Sequence, residues 1–261
     1  IFAFWPLSFF LANNQSWPSF FFATSILIID WVLYLKKFQY HYFLYLILPL
    51  IHPVYLVFPI IFLFLNFKNF SKPLTLISYS LILIVISFFS YKTFYAYSIF
   101  TPDPLAKDTL IKKISLIPNR NLARIYENKT TIFLEKYKTN TFVFLDPNNY
   151  FFSLHPREIG DNQNLNKYPF LAIIPFLIGL FFIVENIHKK WILTTMIASF
   201  LTISFINNPD RYDLIVFLPI SLLCFYGLRK LFNTPNIYFW LFSIAFIPVS
   251  IVELVRLFVL K

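Results

Sequence analysis

The residues with the richest chemical potential lie in one polar segment ahead of a long apolar run. Residues 146–161 read DPNNYFFSLHPREIGD and bring His155, Arg157 and Glu158 within four positions. An imidazole and a carboxylate can exchange protons near neutral pH, and a guanidinium binds phosphate through two parallel hydrogen bonds. We therefore predict acid–base catalysis by Glu158 and His155 and phosphate binding by Arg157. The alternative is a capped interfacial turn in which Arg157 pairs with Glu158.

A second polar cluster, NNPDRYD, occupies residues 207–213 between two apolar runs. Arg211 stands at a predicted helix start, where the helix dipole favours an anion, so we assign Arg211, Tyr212 and Asp210 to substrate or phosphate binding. In the alternative reading, Asp210 caps the helix and Tyr212 belongs to the interfacial aromatic belt. His52, at a proline turn, is a further candidate for the same cavity, although such a histidine more often caps a helix end.

Three further charges lie inside apolar runs, and we interpret them as structural. Glu253 and Arg256 are spaced to neutralise each other on one helix face, and Asp30 is expected to extend towards Lys36. The histidine and acid spacings match no metal motif such as HExxH, and the single Cys224 permits no disulfide within the chain. We therefore expect no metal and no cofactor.

The composition identifies the class of protein that carries these residues. Of the 261 residues, 58% are hydrophobic and only 13% are charged, with a mean hydropathy of +0.67, whereas soluble domains carry about 25% charge. This excludes a soluble enzyme and a disordered chain, and it predicts an integral membrane protein. With only 3 Gly, the chain is a poor candidate for an alternating-access transporter. The net charge of +10 indicates membrane topology and attraction to lipid headgroups, with no nucleic-acid partner.

Apolar runs long enough to cross a bilayer are the main elements of the chain. The predicted spans are 17–35, 73–96, 168–187, 191–207, 212–228 and 236–259, with 1–12 as the end of another. Three prolines interrupt 40–66, which is either one kinked helix or a hairpin turning at 51–53. We favour the hairpin because it places all short basic loops on one side, as the positive-inside rule requires: Lys36-Lys37, Lys68/Lys72, 188–190 and Arg229-Lys230.

The fold class predicted from these runs is an all-α integral membrane protein. It is a polytopic helical bundle of about 8–9 hydrophobic helices with one extramembrane, α-rich loop domain. The expected parts are N-terminal transmembrane helices (1–96), an extracytoplasmic loop domain (97–167) and C-terminal transmembrane helices (168–261). Within the loop domain we predict helices at 104–114 and 122–138, and a short strand or loop start at 141–145. About 70 residues is small for an independent domain, so we expect this segment to pack against helix ends.

The layout resembles the bacterial GT-C membrane glycosyltransferases, the relatives of protein mannosyltransferase and aminoarabinose transferase. The likeness covers roughly 97–220 and rests on Phe-rich spans, the loop motif 146–158 and the Arg211-Tyr212 pair heading a late span. It implies sugar transfer from a polyprenyl-phosphate donor to an acceptor outside the cytoplasm. The protein would lie in the cytoplasmic membrane of a bacterial cell, in contact with membrane lipids. Arg157 and Arg211 would then stabilise the departing phosphate, and a carboxylate would activate the acceptor hydroxyl.

One feature departs from that family. GT-C enzymes carry the catalytic carboxylate in the first external loop, and the first such loop visible here, 13–19, contains no acid. Either that loop lies upstream of Ile1, and the chain is the C-terminal part of a transferase, or the protein is not an active transferase. The alternative function is a non-catalytic membrane subunit or assembly factor that docks a protein partner through loop 97–167.

Overall fold

A computed structural model of the chain describes residues 17–38, 40–67, 73–101, 104–116, 118, 128–152, 168–207, 214–233 and 236–259. Within these ranges every regular element is a helix, and the extended pairing is confined to one isolated bridge between Ser98 and Ile206. The all-α prediction is therefore confirmed for the described part of the chain.

The described residues contain eleven α-helices and four short 3₁₀ segments. The α-helices are α1 Trp17–Leu35, α2 Leu48–Ile51, α3 Val57–Asn66, α4 Pro73–Tyr97, α5 Pro104–Leu116, α6 Lys129–Leu145, α7 Asn148–Phe151, α8 Ile173–Phe181, α9 Lys189–Ser204, α10 Leu214–Phe232 and α11 Asn236–Val259. The 3₁₀ segments are His41–Ile47, Pro53–Leu56, Phe170–Ala172 and Phe182–Glu185.

Two of the described helices are long and apolar enough to cross a membrane. They are α4, with 25 residues and a mean hydropathy of 2.0, and Ile215–Phe232 of α10, with 18 residues and a mean hydropathy of 1.7. On α4 the side chains of Phe88 and Phe89 are 80% and 76% exposed, so its apolar surface is largely uncovered by protein. In the other apolar helices the stretches whose side chains the structure describes are shorter, and the count of 8–9 membrane helices stays a prediction.

The proline-rich segment 40–66 is a hairpin. His52 has extended backbone angles (φ −149°, ψ 124°) and separates α2 from the 3₁₀ segment that begins at Pro53. The ring of Tyr45 packs against those of Phe58 and Phe62, with centroids 5.1 and 4.4 Å away, so the two arms run antiparallel. The reversal arises because Pro53 supplies no N–H and disfavours helical angles at the residue before it.

Two glycines set the closest helix contact. A Cβ atom at Gly179 of α8 would lie 2.0 Å from the carbonyl oxygen of Leu223, and one at Gly227 of α10 would lie 1.8 Å from that of Pro175. Neither position has room for a side chain, so α8 and α10 pack backbone to backbone. Small residues at helix crossings are typical of membrane bundles, where close van der Waals packing replaces the hydrophobic effect between helices.

The loop segment packs against this bundle through α6. The Nδ2 of Asn140, which is 4% exposed, donates to the carbonyl oxygens of Ser204 and Ile206 at 3.0 and 2.8 Å. Phe144 is buried in the main core.

Two of the three local predictions for the loop segment need correction. The strand or loop start predicted at 141–145 is wrong, because burial of Phe144 continues α6 to Leu145. The helix predicted at 122–138 is found at Lys129–Leu145, and its residues 122–127 lie outside the described ones. The helix predicted at 104–114 is confirmed as α5, which extends to Leu116.

Candidate functional site

A buried carboxylate organises the end of the bundle that carries the basic turns. Asp30 of α1 is 0% exposed and accepts three hydrogen bonds. Its Oδ1 accepts from His41 Nδ1 at 2.7 Å, and its Oδ2 accepts from Trp191 Nε1 at 2.7 Å and from the Tyr45 hydroxyl. The expected extension of Asp30 towards Lys36 is therefore wrong. Three converging donors compensate the cost of burying the carboxylate, and Lys36 stays exposed.

The contact with Asp30 fixes the orientation of the His41 imidazole. Because Nδ1 faces the Asp30 carboxylate, Nε2 is the ring nitrogen left for a ligand. The His41 side chain is 16% exposed, so its ring reaches the surface of the buried cluster. A carboxylate behind a histidine is the usual means of setting a tautomer and ring direction for binding or proton transfer.

Aromatic rings in tilted and edge-to-face contacts hold the neighbouring elements together at this end. Trp31 of α1 lies 4.6 Å from Trp191 and 5.2 Å from His188 between ring centroids. Tyr34 lies 5.6 Å from His188 and 5.5 Å from His41. These contacts tie α1 to the start of α9 and hold both histidines in defined positions.

A cavity of about 460 Å³ opens beside this cluster. Four basic side chains line it, namely Lys37, His41, His188 and Lys190, and no Asp or Glu is among its described lining residues. Its remaining wall is largely apolar and includes Phe38 and Phe62. Such a combination suits a ligand with a negatively charged head and an apolar body.

A second cavity, of about 500 Å³, shares His188 with the first and is lined by Arg229 and Lys230. The ammonium of Lys230 pairs with the carboxylate of Glu185, which reduces the positive charge on this side. The two cavities bring the three described basic turns to one end of the bundle, the basic end; Lys68 and Lys72 lie outside the described residues.

His52 and the described residues that flank the two predicted polar clusters lie at the opposite end of the bundle. His155, Arg157, Glu158, Asp210, Arg211 and Tyr212 lie outside the described residues, and the same holds for the side chains of Glu253 and Arg256. The residues that flank the first cluster are described. Tyr168 N donates to Tyr150 O at 2.9 Å and Tyr168 Oη donates to Phe217 O at 2.8 Å. These bonds place Tyr150 and Tyr168, which lie on either side of segment 153–167, beside the first turn of α10.

The second cluster begins at the same end. Asn207 N donates to Tyr97 O at 3.0 Å, and Asn207 Nδ2 donates to Ser98 O at 2.7 Å. The ring of Tyr97 lies 5.3 Å from that of His52. Asn207, the last described residue before segment 208–213, therefore lies near His52, at the end of the bundle where the described residues that flank both predicted clusters are found.

His52 itself has a local structural task. Its Nδ1 accepts a hydrogen bond from Val54 N at 3.4 Å, so it caps the 3₁₀ segment that follows, as the alternative interpretation of this residue expects. Burial lowers the pKa of His52. Both observations favour the neutral imidazole at this turn.

The Asp30 cluster could not be predicted from the sequence, because the hydrogen-bond donors to that carboxylate come from three separate elements of the chain. The signal in the sequence that could have indicated this site is the presence of a charged residue, Asp30, within an apolar run. Its partners follow at His41, Tyr45 and Trp191, and no local spacing links these positions. In the described part of the chain, no group of three or more His, Cys, Asp or Glu side chains could hold a metal ion. Comparison with protein-family models, curated proteins and solved structures gave no significant match to this chain.

Proposed function

We propose that this chain is a polytopic membrane protein of the GT-C glycosyltransferase type, or the C-terminal part of one. In this proposal it transfers a sugar from a polyprenyl-phosphate donor to an acceptor at the bundle end opposite the basic turns. The observation that carries the proposal is the shared location of His52, Asn207 and the Tyr150–Tyr168 contact. The described residues that flank segments 153–167 and 208–213 lie at that end, and these two segments contain every other candidate residue.

The separation of the two ends also supports the proposal. Positive charge in short loops marks the cytoplasmic side of membrane proteins, so the basic end would face the cytoplasm. The end bearing His52 would then face outward, where a GT-C enzyme acts. In this arrangement all 8–9 predicted hydrophobic helices cross or enter the bilayer.

The chemistry of the two segments fits transfer from a lipid phosphate. The donor is anchored in the bilayer by its prenyl chain, so a site at helix ends can receive it laterally from the membrane. Arg157 and Arg211 would neutralise the phosphate as the glycosidic bond breaks, in cooperation with Tyr212 and Asp210. Glu158 or His155 would take the proton of the acceptor hydroxyl.

The test is a transfer assay in proteoliposomes that contain a radiolabelled polyprenyl-phosphate sugar. We expect Arg157→Ala and Arg211→Ala each to lower the release of polyprenyl phosphate by about 100-fold, the usual scale for losing one transition-state contact. Arg229→Ala is the matched control, because it removes the same charge at the basic end and should leave the rate unchanged. Wild-type rates in both variants would refute the assignment.

One observation favours the alternative of a non-catalytic subunit that docks a partner through loop 97–167. Apolar side chains on α5 and α6 are exposed although this segment is polar overall: Leu116 is 81% exposed and Phe142 61%. A partner chain that covers them would account for this surface. Stable co-purification of a second chain that is lost in Phe142→Ser, together with no transfer by the wild type, would establish this role.

A further inference from the structure

We propose that the cavity at the basic end binds the phosphate headgroup of an anionic membrane lipid. This site lies at the opposite end of the bundle from the proposed transferase site; it rests on the membrane location in the proposed function but not on the transferase activity. The ligand would be a phosphate headgroup that carries no cationic group of its own, and lysine and histidine side chains would bind it.

The charges of the lining side chains favour an anionic ligand. Lys37 and Lys190 line the cavity together with His41 and His188, and its described lining contains no carboxylate. The nearest acid of the cluster, Asp30, is 0% exposed and fully engaged by His41, Tyr45 and Trp191. An anion in the cavity would therefore meet the side chains of Lys37 and Lys190, with no acid among the described lining residues.

The backbone at Lys37 supports a role for its ammonium group. Lys37 has φ 56°, the positive-φ conformation normally taken by glycine just after a helix. This conformation is unfavourable for a lysine, and α1 ends there through bonds from Lys37 N to Tyr34 O and from Phe38 N to Leu33 O. A lysine at such a position, on the wall of a cavity, is consistent with a binding function.

The His41 imidazole supplies a directed contact beside the two lysines. Because Asp30 holds Nδ1, a phosphate oxygen in the cavity would meet Nε2, which donates when the ring is protonated. Trp191 and Tyr45 fix the far side of the same carboxylate, so the ring direction is set before the ligand arrives. Preorganisation of this kind lowers the entropy cost of binding.

The walls of the cavity favour a lipid over free phosphate. Leu35, Phe38 and Ile187 line it and are 45%, 49% and 89% exposed, so apolar surface runs from the cavity to the outside of the bundle. An acyl chain would cover these side chains while the headgroup meets the cations. Free phosphate would leave the apolar rim uncovered.

The experiment measures lipid binding to the full chain by native mass spectrometry, with dioleoyl phosphatidate and dioleoyl phosphatidylcholine titrated in parallel. We expect clear selectivity for phosphatidate in the wild type and a loss of at least about tenfold in its affinity in Lys37→Gln/Lys190→Gln. The control is Lys92→Gln/Lys112→Gln, which removes the same charge from exposed lysines elsewhere and should keep wild-type affinity.

Other outcomes would overturn the proposal. Equal binding of phosphatidate and phosphatidylcholine by the wild type would exclude recognition of an anionic headgroup. Equal losses in the two double variants would show a general charge effect instead of a site. Inorganic phosphate that competes with phosphatidate at equal concentration would identify free phosphate as the ligand. A His41→Gln variant that keeps wild-type selectivity would overturn the part of the proposal that assigns the histidine to the site.

Discussion

Replacement of Gly227 by alanine tests the packing at the closest contact in the bundle. The new methyl carbon would lie 1.8 Å from the carbonyl oxygen of Pro175 and 2.7 Å from its carbon. Ordinary carbon–oxygen contacts lie beyond about 3.2 Å, so α8 and α10 must separate by more than about 1 Å. Overpacking of this kind costs about 3 kcal/mol, and the better helix propensity of alanine returns about 1 kcal/mol. We expect a net loss of about 2 kcal/mol in the free energy of unfolding.

The single cysteine of the chain provides the assay. Cys224 lies on α10 close to Gly227, is 0% exposed, and places its Sγ 3.8 Å from the carbonyl oxygen of Ala172. A thiol reagent reaches it when the helices open, so the modification rate in mild detergent follows the population of the open state. A loss of about 2 kcal/mol predicts a rate about 30-fold higher in Gly227→Ala.

A control and a double variant make this result decisive. Phe225→Ala alters the same helix at a side chain that is 63% exposed, and it should change the rate less than about threefold. Gly179→Ala should resemble Gly227→Ala, and the double variant should cost less than the sum, since both methyl groups open the same crossing. An unchanged rate in Gly227→Ala would refute the backbone contact between α8 and α10.

Three further predictions follow from buried polar contacts. Asp30→Ala leaves three donors without their acceptor and should lower the free energy of unfolding by at least about 3 kcal/mol in the same thiol assay. Asp30→Asn keeps one acceptor oxygen, so we expect a smaller loss. If both variants are as stable as the wild type, the hydrogen-bond cluster around Asp30 is contradicted. Burial lowers the pKa of His52, so the unfolded state takes up the proton first as the pH falls. The free energy of unfolding of the wild type should therefore decrease below about pH 6.5. A His52→Gln variant with the same pH profile would exclude this residue as the source. Asn140→Ala removes two bonds to the end of α9 and should raise the rate of limited proteolysis within α6 by about tenfold, whereas Thr139→Ala, whose hydroxyl donates within α6, should not.

The bounds of the helices that are set by hydropathy, and the hairpin that is set by loop charge, could be predicted from the sequence. Apolar runs predicted α1 as 17–35 and α11 as 236–259, the bounds that the structure shows. The distribution of lysines favoured the hairpin over one kinked helix, and His52 stands at its turn. Each of these features follows from local hydropathy or from charge in short loops, which no distant residue needs to specify. The end of α6 was misjudged because its last turn depends on burial of Phe144.

The sequence by itself determined an all-helical, highly apolar chain, the positions of most helices and the sorting of basic turns to one side, because these properties depend on neighbouring residues. Only the tertiary structure decided the partners of Asp30, the cavity beside His41 and the contact between Gly179 and Gly227. A buried carboxylate must find donors wherever the fold brings them, and Trp191 reaches Asp30 across 161 positions of the chain. Helix crossings likewise depend on which faces meet, and the hydropathy of a single helix contains no information about its partner.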